Sequence, residues 1–247
     1  PEEHEGILPM KIFATRNQVS AINKQHYDEL KEEEHVYMVS VNTNATKYIE
    51  SGASFEEDVI DKISMMSPID IDYECKNMVQ NLPVDECVKL KVGTVVMCLV
   101  NLDLEQGIAN GTIGKVISFI YSFVFKEFVP IVHFTNGVVQ QIDRYIWQSS
   151  EYPNICVGQI PLCLAYANSI HKMQGATLDV CEMNLGGSIF AEHQIYVALS
   201  RVRSLDGLYL TAFHPQRIKV NPKVIEFYSK FPRVEDRKST RLNSSHT

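Results

Sequence analysis

The sequence predicts an α/β fold in which a strand-rich segment interrupts alternating strands and helices. An apolar strand at Met10–Ala14 opens the chain, and apolar residues at helical spacing follow it. From Lys89 the chain changes to short β-rich segments separated by turn dipeptides. Strand–helix alternation resumes near Gln159 and continues to about Tyr228. This order favours an α/β domain that carries a small antiparallel barrel as an insertion.

The first helix follows the opening strand. Thr15 and Gln18 form a capping-box pattern, and the apolar residues from Val19 to Leu30 recur at roughly helical spacing. Arg16 falls in the first helical turn, where a cation is unfavourable for the helix dipole. Arg16 therefore either serves an anion, such as a nucleotide phosphate or DNA, or is an ordinary solvated arginine.

The next segment contains weaker patterns. Val36–Val41 alternates loosely and predicts a strand, and Phe55–Met66 predicts a helix. Pro68 and Pro83 are expected in loops.

The strand-rich segment is expected to span residues 89–158. Asn110-Gly111 and Asn136-Gly137 are strong turn dipeptides between its strands. The predicted strands are Lys91–Val100, Gly111–Val124, Val129–Phe134 and Val138–Ile142.

Composition excludes some classes of protein. The chain has 247 residues, and no apolar run approaches the ~20 residues of a membrane helix. Six cysteines are present without a C-x-x-C pair, so we expect no metal site. Cys98, Cys163 and Cys181 lie in apolar runs, which indicates reduced core thiols in an intracellular protein.

The charge is unevenly distributed. The formal net charge is −7, which argues against a generally basic nucleic-acid-binding protein. Residues 1–90 carry 18 acidic and 8 basic side chains, whereas residues 91–247 carry 12 acidic and 15 basic ones. The second part therefore has the local positive charge that gripping a few phosphates requires.

The segment Ser169–Gly175 follows an apolar strand. Ser169 is expected to cap a helical turn that Gly175 closes, and exposed amides at such a start bind anions. Lys172 adds a full charge, and Ser169 and His171 add hydrogen-bonding groups suited to a DNA phosphate and a neighbouring base. The alternative is an ordinary strand–helix corner with a surface lysine.

A second motif ends at Arg203. Ser188 is expected to cap a helix over Ala191–Val202, which would leave Arg201 beyond the buried face and free to point into a cleft. A guanidinium in that place can stabilise charge during phosphoryl transfer. The alternative is that Arg201 and Arg203 bind helix-end carbonyls or form ordinary ion pairs.

The sequence lacks a phosphate-binding G-x-x-x-x-G-K-[ST] loop. Gly111–Lys115 imitates part of one but is too short and lies among strands, so we interpret it as a hairpin. Asp85-Glu86 imitates an acidic metal-binding pair, but no apolar strand precedes it. We therefore expect the ATP-binding half of any motor to lie outside this sequence.

Five segments together resemble the C-terminal half of the petite-integration-frequency (PIF-type) helicases, relatives of the RecD-like superfamily-one 5′→3′ DNA helicases. The resemblance runs from about Ile7 to Tyr228 and is strongest over Gln159–Leu210. The five segments are Phe13–Arg16, Leu90–Met97, Asn110–Thr112, Ser169–Leu178 and Tyr196–Leu208. Departures are small: Met173 stands where a serine is usual, and Val202 where alanine is common.

The resemblance implies a second RecA-like domain of the P-loop NTPase type. Residues 1–88 and 159–230 would form it, residues 89–158 would be an inserted SH3-like β-barrel, and residues 231–247 a disordered or artefactual tail. Asp236–His246 resembles the translation of a sequencing-library adapter, and a natural disordered tail is the alternative.

The resemblance also implies roles for ten residues. Arg201 would be the arginine finger, and Arg16 would join it in catalysis. Gln174, Gly175, Tyr196 and Ser200 would couple to the nucleotide. The expected DNA contacts are Thr15, Ser169, His171 and Lys172.

The implied function is ATP-dependent unwinding of DNA in replication, repair, recombination and telomere maintenance. ATP and Mg²⁺ would bind mainly to the N-terminal RecA-like domain of the same chain. Single-stranded DNA and duplex or G-quadruplex DNA are the expected partners, with no membrane, and a eukaryotic protein would act in the nucleus or mitochondrion. Three alternatives stay open: an ATPase-dead nucleic-acid-binding or regulatory module, the helicase part of a rolling-circle transposon protein, and a related RNA helicase.

Overall fold

The computed structural model describes residues 8–43, 65–186, 194–218 and 221–230. Its strands are β1 (Met10–Phe13), β2 (His35–Met38), β3 (Ser40–Asn42), β4 (Cys87–Leu90), β5 (Val95–Cys98), β6 (Ile113–Ser122), β7 (Glu127–Phe134), β8 (Val139–Gln141), β9 (Tyr145–Gln148), β10 (Cys156–Gln159), β11 (Leu162–Leu164), β12 (Ala167–Ser169), β13 (Cys181–Leu185) and β14 (Leu208–Phe213). Its α-helices are α1 (Arg16–Glu29), α2 (Pro68–Gln80), α3 (Gln194–Leu199) and α4 (Pro222–Ser229). Two 3₁₀ turns flank β14.

A four-stranded parallel sheet brings together the two ends of the described chain. Its order is β12-β1-β13-β14, and every neighbouring pair is parallel. Parallel strands need crossover connections and are usually buried on both faces. Helix α1 packs on β1 and β12, and Met10, Ile12 and Met183 are fully buried. The predicted α/β fold class is confirmed.

Antiparallel strands form the other layer. They form three sheets, with the strand orders β11-β5-β6-β7-β8, β3-β10-β9 and β2-β4. The Asn136-Gly137 turn is confirmed between β7 and β8, where the Gly137 N–H donates to the Phe134 carbonyl. Asn110-Gly111 lies just before β6, also as a turn.

Hydrogen bonding crosses both expected edges of the strand-rich segment. β2 pairs with β4, and β3 pairs with β10, although β2 and β3 precede residue 89. β11 lies after residue 158 and pairs with β5. The apolar run that leads to Ser169 is thus divided between sheets, since β11 joins the antiparallel layer and β12 the parallel one. The division at residues 89 and 158, and closure into a barrel, stay predictions.

The helix start predicted at Thr15 is confirmed, but the capping box there and the loop predicted at Pro68 were wrong. Thr15 is the N-cap of α1, but its hydroxyl donates to the Gln18 side chain and makes no cap bond to the backbone. The capping box is instead at α2, where the Ser67 hydroxyl accepts from the Asp70 N–H and the Asp70 carboxylate accepts from the Ser67 N–H. Pro68 therefore begins a helix, because its missing N–H is not needed in the first turn.

The helix predicted to reach Val202 ends three residues earlier. α3 stops at Leu199, and Val202 forms a parallel bridge with Leu178. The extended bridge competes with helix continuation for the backbone groups of residues 201–203. The predictions for Ser188 and the tail, residues 231–247, lie outside the described residues. So does the helix predicted over Phe55–Met66, except for its last two residues, which are not helical.

The core is continuous between the two layers. Buried side chains from the parallel sheet and from the antiparallel strands belong to one hydrophobic cluster. Cys98, Cys163 and Cys181 are buried as free thiols, as predicted. In the described part of the chain, no helix is both long and apolar enough to cross a membrane.

Candidate functional site

A cleft of about 560 Å³ lies where the two layers meet. One side is formed by α1, a second by the segment Asp85–Leu90, and a third by β11, β12 and the turn after it. Among its lining side chains are the polar and charged residues Arg16, Lys24, Asp85, Lys89, Ser169 and Lys172. Three of the ten predicted site residues, Arg16, Ser169 and Lys172, therefore share one cavity.

In the turn after β12, some side chains are exposed to solvent and others are buried in the core. Ser169 is the last residue of β12 rather than a residue before a helix, and its side chain is buried. The Met173 N–H donates to the Ser169 carbonyl, and the Lys172 N–H donates to the Ser169 hydroxyl at 3.4 Å. His171 and Lys172 are exposed, whereas Met173 is fully buried. An apolar side chain at position 173 thus anchors the turn that presents Lys172.

Lys172 forms an ion pair across the cleft. Its ammonium nitrogen lies 2.9 Å from Asp85 Oδ1. Asp85 was set aside in the sequence as a false metal-binding acid, and its pairing was missed because the partners are 87 residues apart.

The Asp85 loop is held from beneath by a buried glutamine. The Gln159 amide nitrogen donates to the backbone carbonyls of Tyr37, Asp85 and Glu86. The Gln159 side-chain oxygen accepts from the Ile160 N–H, which orients the amide. A buried amide must find such partners, and here they join β2, the Asp85 loop and β10.

Helix α1 supplies the opposite wall. Arg16 at its start lines the cleft, and Thr15 does not. Asn23 forms two hydrogen bonds with the backbone of Ala167: its Oδ1 accepts from the N–H at 2.8 Å, and its Nδ2 donates to the carbonyl at 2.9 Å. Because β12 is the edge strand of the parallel sheet, these bonds satisfy backbone groups that have no strand partner.

Arg201 is bound to the chain's own carbonyls and does not lie free. Its Nε donates to the Val197 carbonyl at 3.1 Å, and a terminal nitrogen lies 3.4 Å from the Ala176 carbonyl oxygen. The other terminal nitrogen donates to the Ser200 hydroxyl at 2.9 Å. The expectation of a guanidinium free to enter a cleft was wrong for this state, because a short helix leaves carbonyls that the guanidinium satisfies. Arg203 pairs with Asp179 on the surface at 2.9 Å.

The two predicted motifs are nevertheless joined. The Leu178 N–H donates to the Arg201 carbonyl at 2.8 Å, and the Arg203 N–H donates to the Leu178 carbonyl at 3.0 Å. Arg201 also reaches Ala176, which follows the exposed pair Gln174 and Gly175. A displacement of the Lys172 turn would therefore move backbone groups that are hydrogen-bonded to Arg201.

The Asn110-Gly111 turn packs on this junction. Gly111 has φ of +101°, and a Cβ there would lie 2.6 Å from the Thr177 carbonyl oxygen. The antiparallel layer thus contacts the segment between the motifs, backbone against backbone.

The remaining predicted residues lie away from the cleft. Tyr196 is 71% exposed on α3, and Ser200 donates to the Val197 carbonyl. His171, Gln174 and Gly175 lie in the turn but do not line the cavity. Within the described residues, no group of three or more His, Cys, Asp or Glu side chains could hold a metal ion.

Burial controls the ionisation of Cys163, one of the two cysteines that line the cleft. Desolvation raises the pKa of Cys163 to about 12, so this cleft-lining thiol is neutral at physiological pH. It packs beside Asn168, whose amide lies 3.7 Å from its sulfur. The cleft therefore presents no thiolate nucleophile at that position.

Known proteins match this chain, one family model over a short segment and several relatives over most of its length. A family model described as the 2B domain of DNA helicase Pif1 matches residues 75–119. An ATP-dependent DNA helicase PIF1 from Xenopus laevis is 31% identical over 243 residues, which covers 98% of this chain and 33% of the relative. The chain thus spans about a third of that relative's length.

Solved structures show the same likeness. The Bacteroides sp. Pif1 in complex with ADP-AlF4 has a TM-score of 0.63 and 27% identity, covering 90% of this chain and 44% of that one. The Bacteroides Pif1 bound to ssDNA has a TM-score of 0.52 and 28% identity, covering 90% and 45%. The parallel sheet, the motifs on it and these likenesses support one reading: the chain is similar in sequence and fold to part of the Pif1 DNA helicases.

Proposed function

We propose that this chain is the C-terminal motor part of an ATP-dependent 5′→3′ DNA helicase, in which it grips single-stranded DNA and supplies an arginine finger. In this proposal, the parallel sheet belongs to a second RecA-like domain and the antiparallel layer to an inserted SH3-like barrel. The observation that carries the proposal is the cleft that brings Arg16, Ser169 and Lys172 together.

The lining of the cleft suits a DNA backbone. A phosphodiester carries one negative charge and acceptor oxygens, which cations and hydroxyl donors bind. Lys172 and Arg16 supply the cations, and the buried Ser169 hydroxyl supplies a donor at a fixed place. Thr15 and His171 lie next to these residues in the chain and are proposed to contact the strand beyond the cavity. The overall charge of −7 does not oppose this, because the positive groups are local.

Nucleotide coupling is proposed to run through the junction between the motifs. Arg201 is held by the carbonyls of Val197 and Ala176, and Ala176 follows Gln174 and Gly175. A DNA-driven shift of the turn would weaken the contact to Ala176 and release the guanidinium. Tyr196 and Ser200 would support it in the released position.

Of the groups that bind a nucleotide and its metal ion, the described residues supply only one that suits the phosphates. Arg201 offers a guanidinium suited to phosphate oxygens, whereas the sequence has no phosphate loop and the described part has no acidic cluster for Mg²⁺. ATP supplies the phosphoryl group whose transfer releases energy. We therefore propose that an N-terminal RecA-like domain of the full-length protein binds ATP and Mg²⁺.

The proposed partners follow from this role. They are single-stranded DNA and duplex or G-quadruplex DNA, and the site of action in a eukaryotic cell would be the nucleus or mitochondrion. DNA repair, recombination and telomere maintenance are the proposed processes.

The test is an Arg201→Ala substitution in the full-length helicase, with Arg203→Ala as the matched control. We expect DNA-stimulated ATP hydrolysis to fall by a factor on the order of 10³, because a guanidinium that stabilises phosphoryl transfer is lost. Single-strand affinity should persist in the same variant. Arg203→Ala removes only an exposed ion pair and should leave both properties near those of the wild type.

Retained turnover in Arg201→Ala would favour the rival proposal. In that case the chain would serve as a nucleic-acid-binding or regulatory module, and Arg201 would only satisfy the carbonyls at the end of α3. Origin in a rolling-circle transposon protein would leave the cleft chemistry unchanged.

A further inference from the structure

We propose that Asp85 is a built-in competitor of DNA: its carboxylate occupies the Lys172 ammonium until a phosphodiester of single-stranded DNA displaces it. This inference rests on the proposed single-strand binding by the cleft and adds a residue that sets its strength. Asp85 belongs to none of the motifs that predicted the site.

The geometry places the carboxylate where a phosphate would bind. Asp85 Oδ1 lies 2.9 Å from the Lys172 ammonium, and both side chains line the cleft. A carboxylate and a phosphodiester each present an anionic oxygen to a cation, so the two cannot both take the same face of the ammonium. Asp85 is 66% and Lys172 43% exposed, so a strand can reach the pair from solvent.

The competitor is held at a fixed position. Gln159 donates to the backbone carbonyls of Asp85 and Glu86, and Gln159 itself is fully buried. Val84 before the loop and Val88 after it are also buried. The backbone beneath Asp85 is thus anchored on both sides while its side chain projects into the cleft.

The other cations in the cleft are arranged differently. Lys24 pairs with Asp28 one turn along the same helix, and Lys89 pairs with Glu34, which precedes β2 and is not among the residues that line the cleft. The pair of Lys172 and Asp85 instead joins the Asp85 loop of the antiparallel layer to the turn after the parallel strand β12. Displacing Asp85 therefore removes one contact between the layers and frees the ammonium.

The pair is weak enough to be displaced. Exposed ion pairs contribute little, so the competition should lower DNA affinity by about two- to fivefold. A DNA strand that also contacts Arg16 and Ser169 gains enough additional contacts to displace Asp85. A lone small anion gains only the contact to Lys172 that Asp85 gives up. The competitor thus favours a polyanionic strand over isolated anions.

The experiment measures binding of a labelled oligothymidylate to the 247-residue chain by fluorescence anisotropy at low salt. The variants are Asp85→Asn, Lys172→Ala and the double variant. Asp72→Asn is the matched control, because it also removes one negative charge and one exposed ion pair, with Lys76 on α2, away from the cleft lining. Circular dichroism checks that each variant is folded.

We expect Asp85→Asn to raise affinity about two- to fivefold and Asp72→Asn to change it less. Lys172→Ala should lower affinity, and Asp85→Asn should then give no further gain. Equal gains in the two Asn variants, or a loss in Asp85→Asn, would overturn the competitor, the latter because it would mean that Asp85 positions Lys172 for DNA. If Lys172→Ala leaves affinity unchanged, the proposed DNA cleft itself fails, which separates the two ideas.

Discussion

At the scale of single residues, local sequence motifs identified the cationic residues of the cleft but not the polar residues that bind or support them. Ser169 ends β12, and Arg16 and Lys172 each come three residues after the end of a parallel strand, so their convergence at one end of the sheet could be inferred from chain order. Asp85 and Gln159 could not, because the partner of Asp85 and the carbonyls that Gln159 binds lie far away in sequence. A polar residue that bonds to distant backbone leaves no periodic signal.

Asn23 is expected to stabilise the fold by more than its exposure suggests. Asn23→Ala removes both hydrogen bonds to Ala167 and leaves a buried N–H and carbonyl on the edge strand unsatisfied. We expect a loss of about 1–3 kcal/mol in the free energy of unfolding, measured by urea denaturation. Gln25→Ala on the same helix removes only an exposed contact to Glu29 and should cost well under ~1 kcal/mol. Equal losses in the two variants would contradict this role for Asn23.

At the scale of elements, the predictions located α1, missed α2 and misplaced the end of α3. The apolar spacing of α1 was sufficient to locate it, but its predicted capping box does not form. The reciprocal bonds are made instead by Ser67 and Asp70 at α2, which the sequence analysis did not single out. α3 ends early because Val202 pairs with Leu178, a tertiary contact that overrides helical propensity. The turn dipeptides were reliable because glycine at positive φ is a local requirement.

Two substitutions can separate the effect of the close contact between the layers at Gly111 from the effect of its positive φ. Gly111→Ala and Gly137→Ala both place a Cβ at positive φ, but only Gly111 would also meet the Thr177 backbone, at 2.6 Å. We expect Gly137→Ala to cost about 1 kcal/mol and Gly111→Ala at least about twice as much, measured by thermal unfolding. Similar costs would show that the layers can separate freely at this junction.

At the scale of the whole molecule, the sequence predicted an α/β arrangement interrupted by a strand-rich segment, but not which strands pair. β2 and β3 precede the strand-rich segment and still pair with it, and β11 follows it and pairs with β5. Short apolar runs carry no information about their partner strand. Sheet membership is decided by packing across the whole core.

The buried thiols predict a loss of stability in alkali. Burial raises the pKa of Cys98 to about 11 and that of Cys181 to about 12, against about 8.5 for an unfolded thiol. A raised folded-state pKa gives stability that is complete below the unfolded value and lost as pH rises toward the folded value. Between about pH 9 and 11, each thiol should lower the free energy of unfolding by about 1.4 kcal/mol per pH unit.

Urea denaturation of the wild type and Cys181→Ala across this range isolates one thiol. The variant should lose stability less steeply, by that amount per pH unit. Identical slopes would mean that Cys181 ionises in the folded protein.

The most direct test of the central claim, that the cleft binds single-stranded DNA, is hydrogen–deuterium exchange of the chain with and without oligothymidylate. We expect slower exchange at the start of α1, in the Asp85 loop and in the turn Ser169–Gly175, with little change in the β6–β7 hairpin. That hairpin exposes the aromatic side chain of Phe123, 85% accessible, and is the obvious rival surface for stacked bases. Protection confined to the hairpin, with the cleft unchanged, would contradict the account.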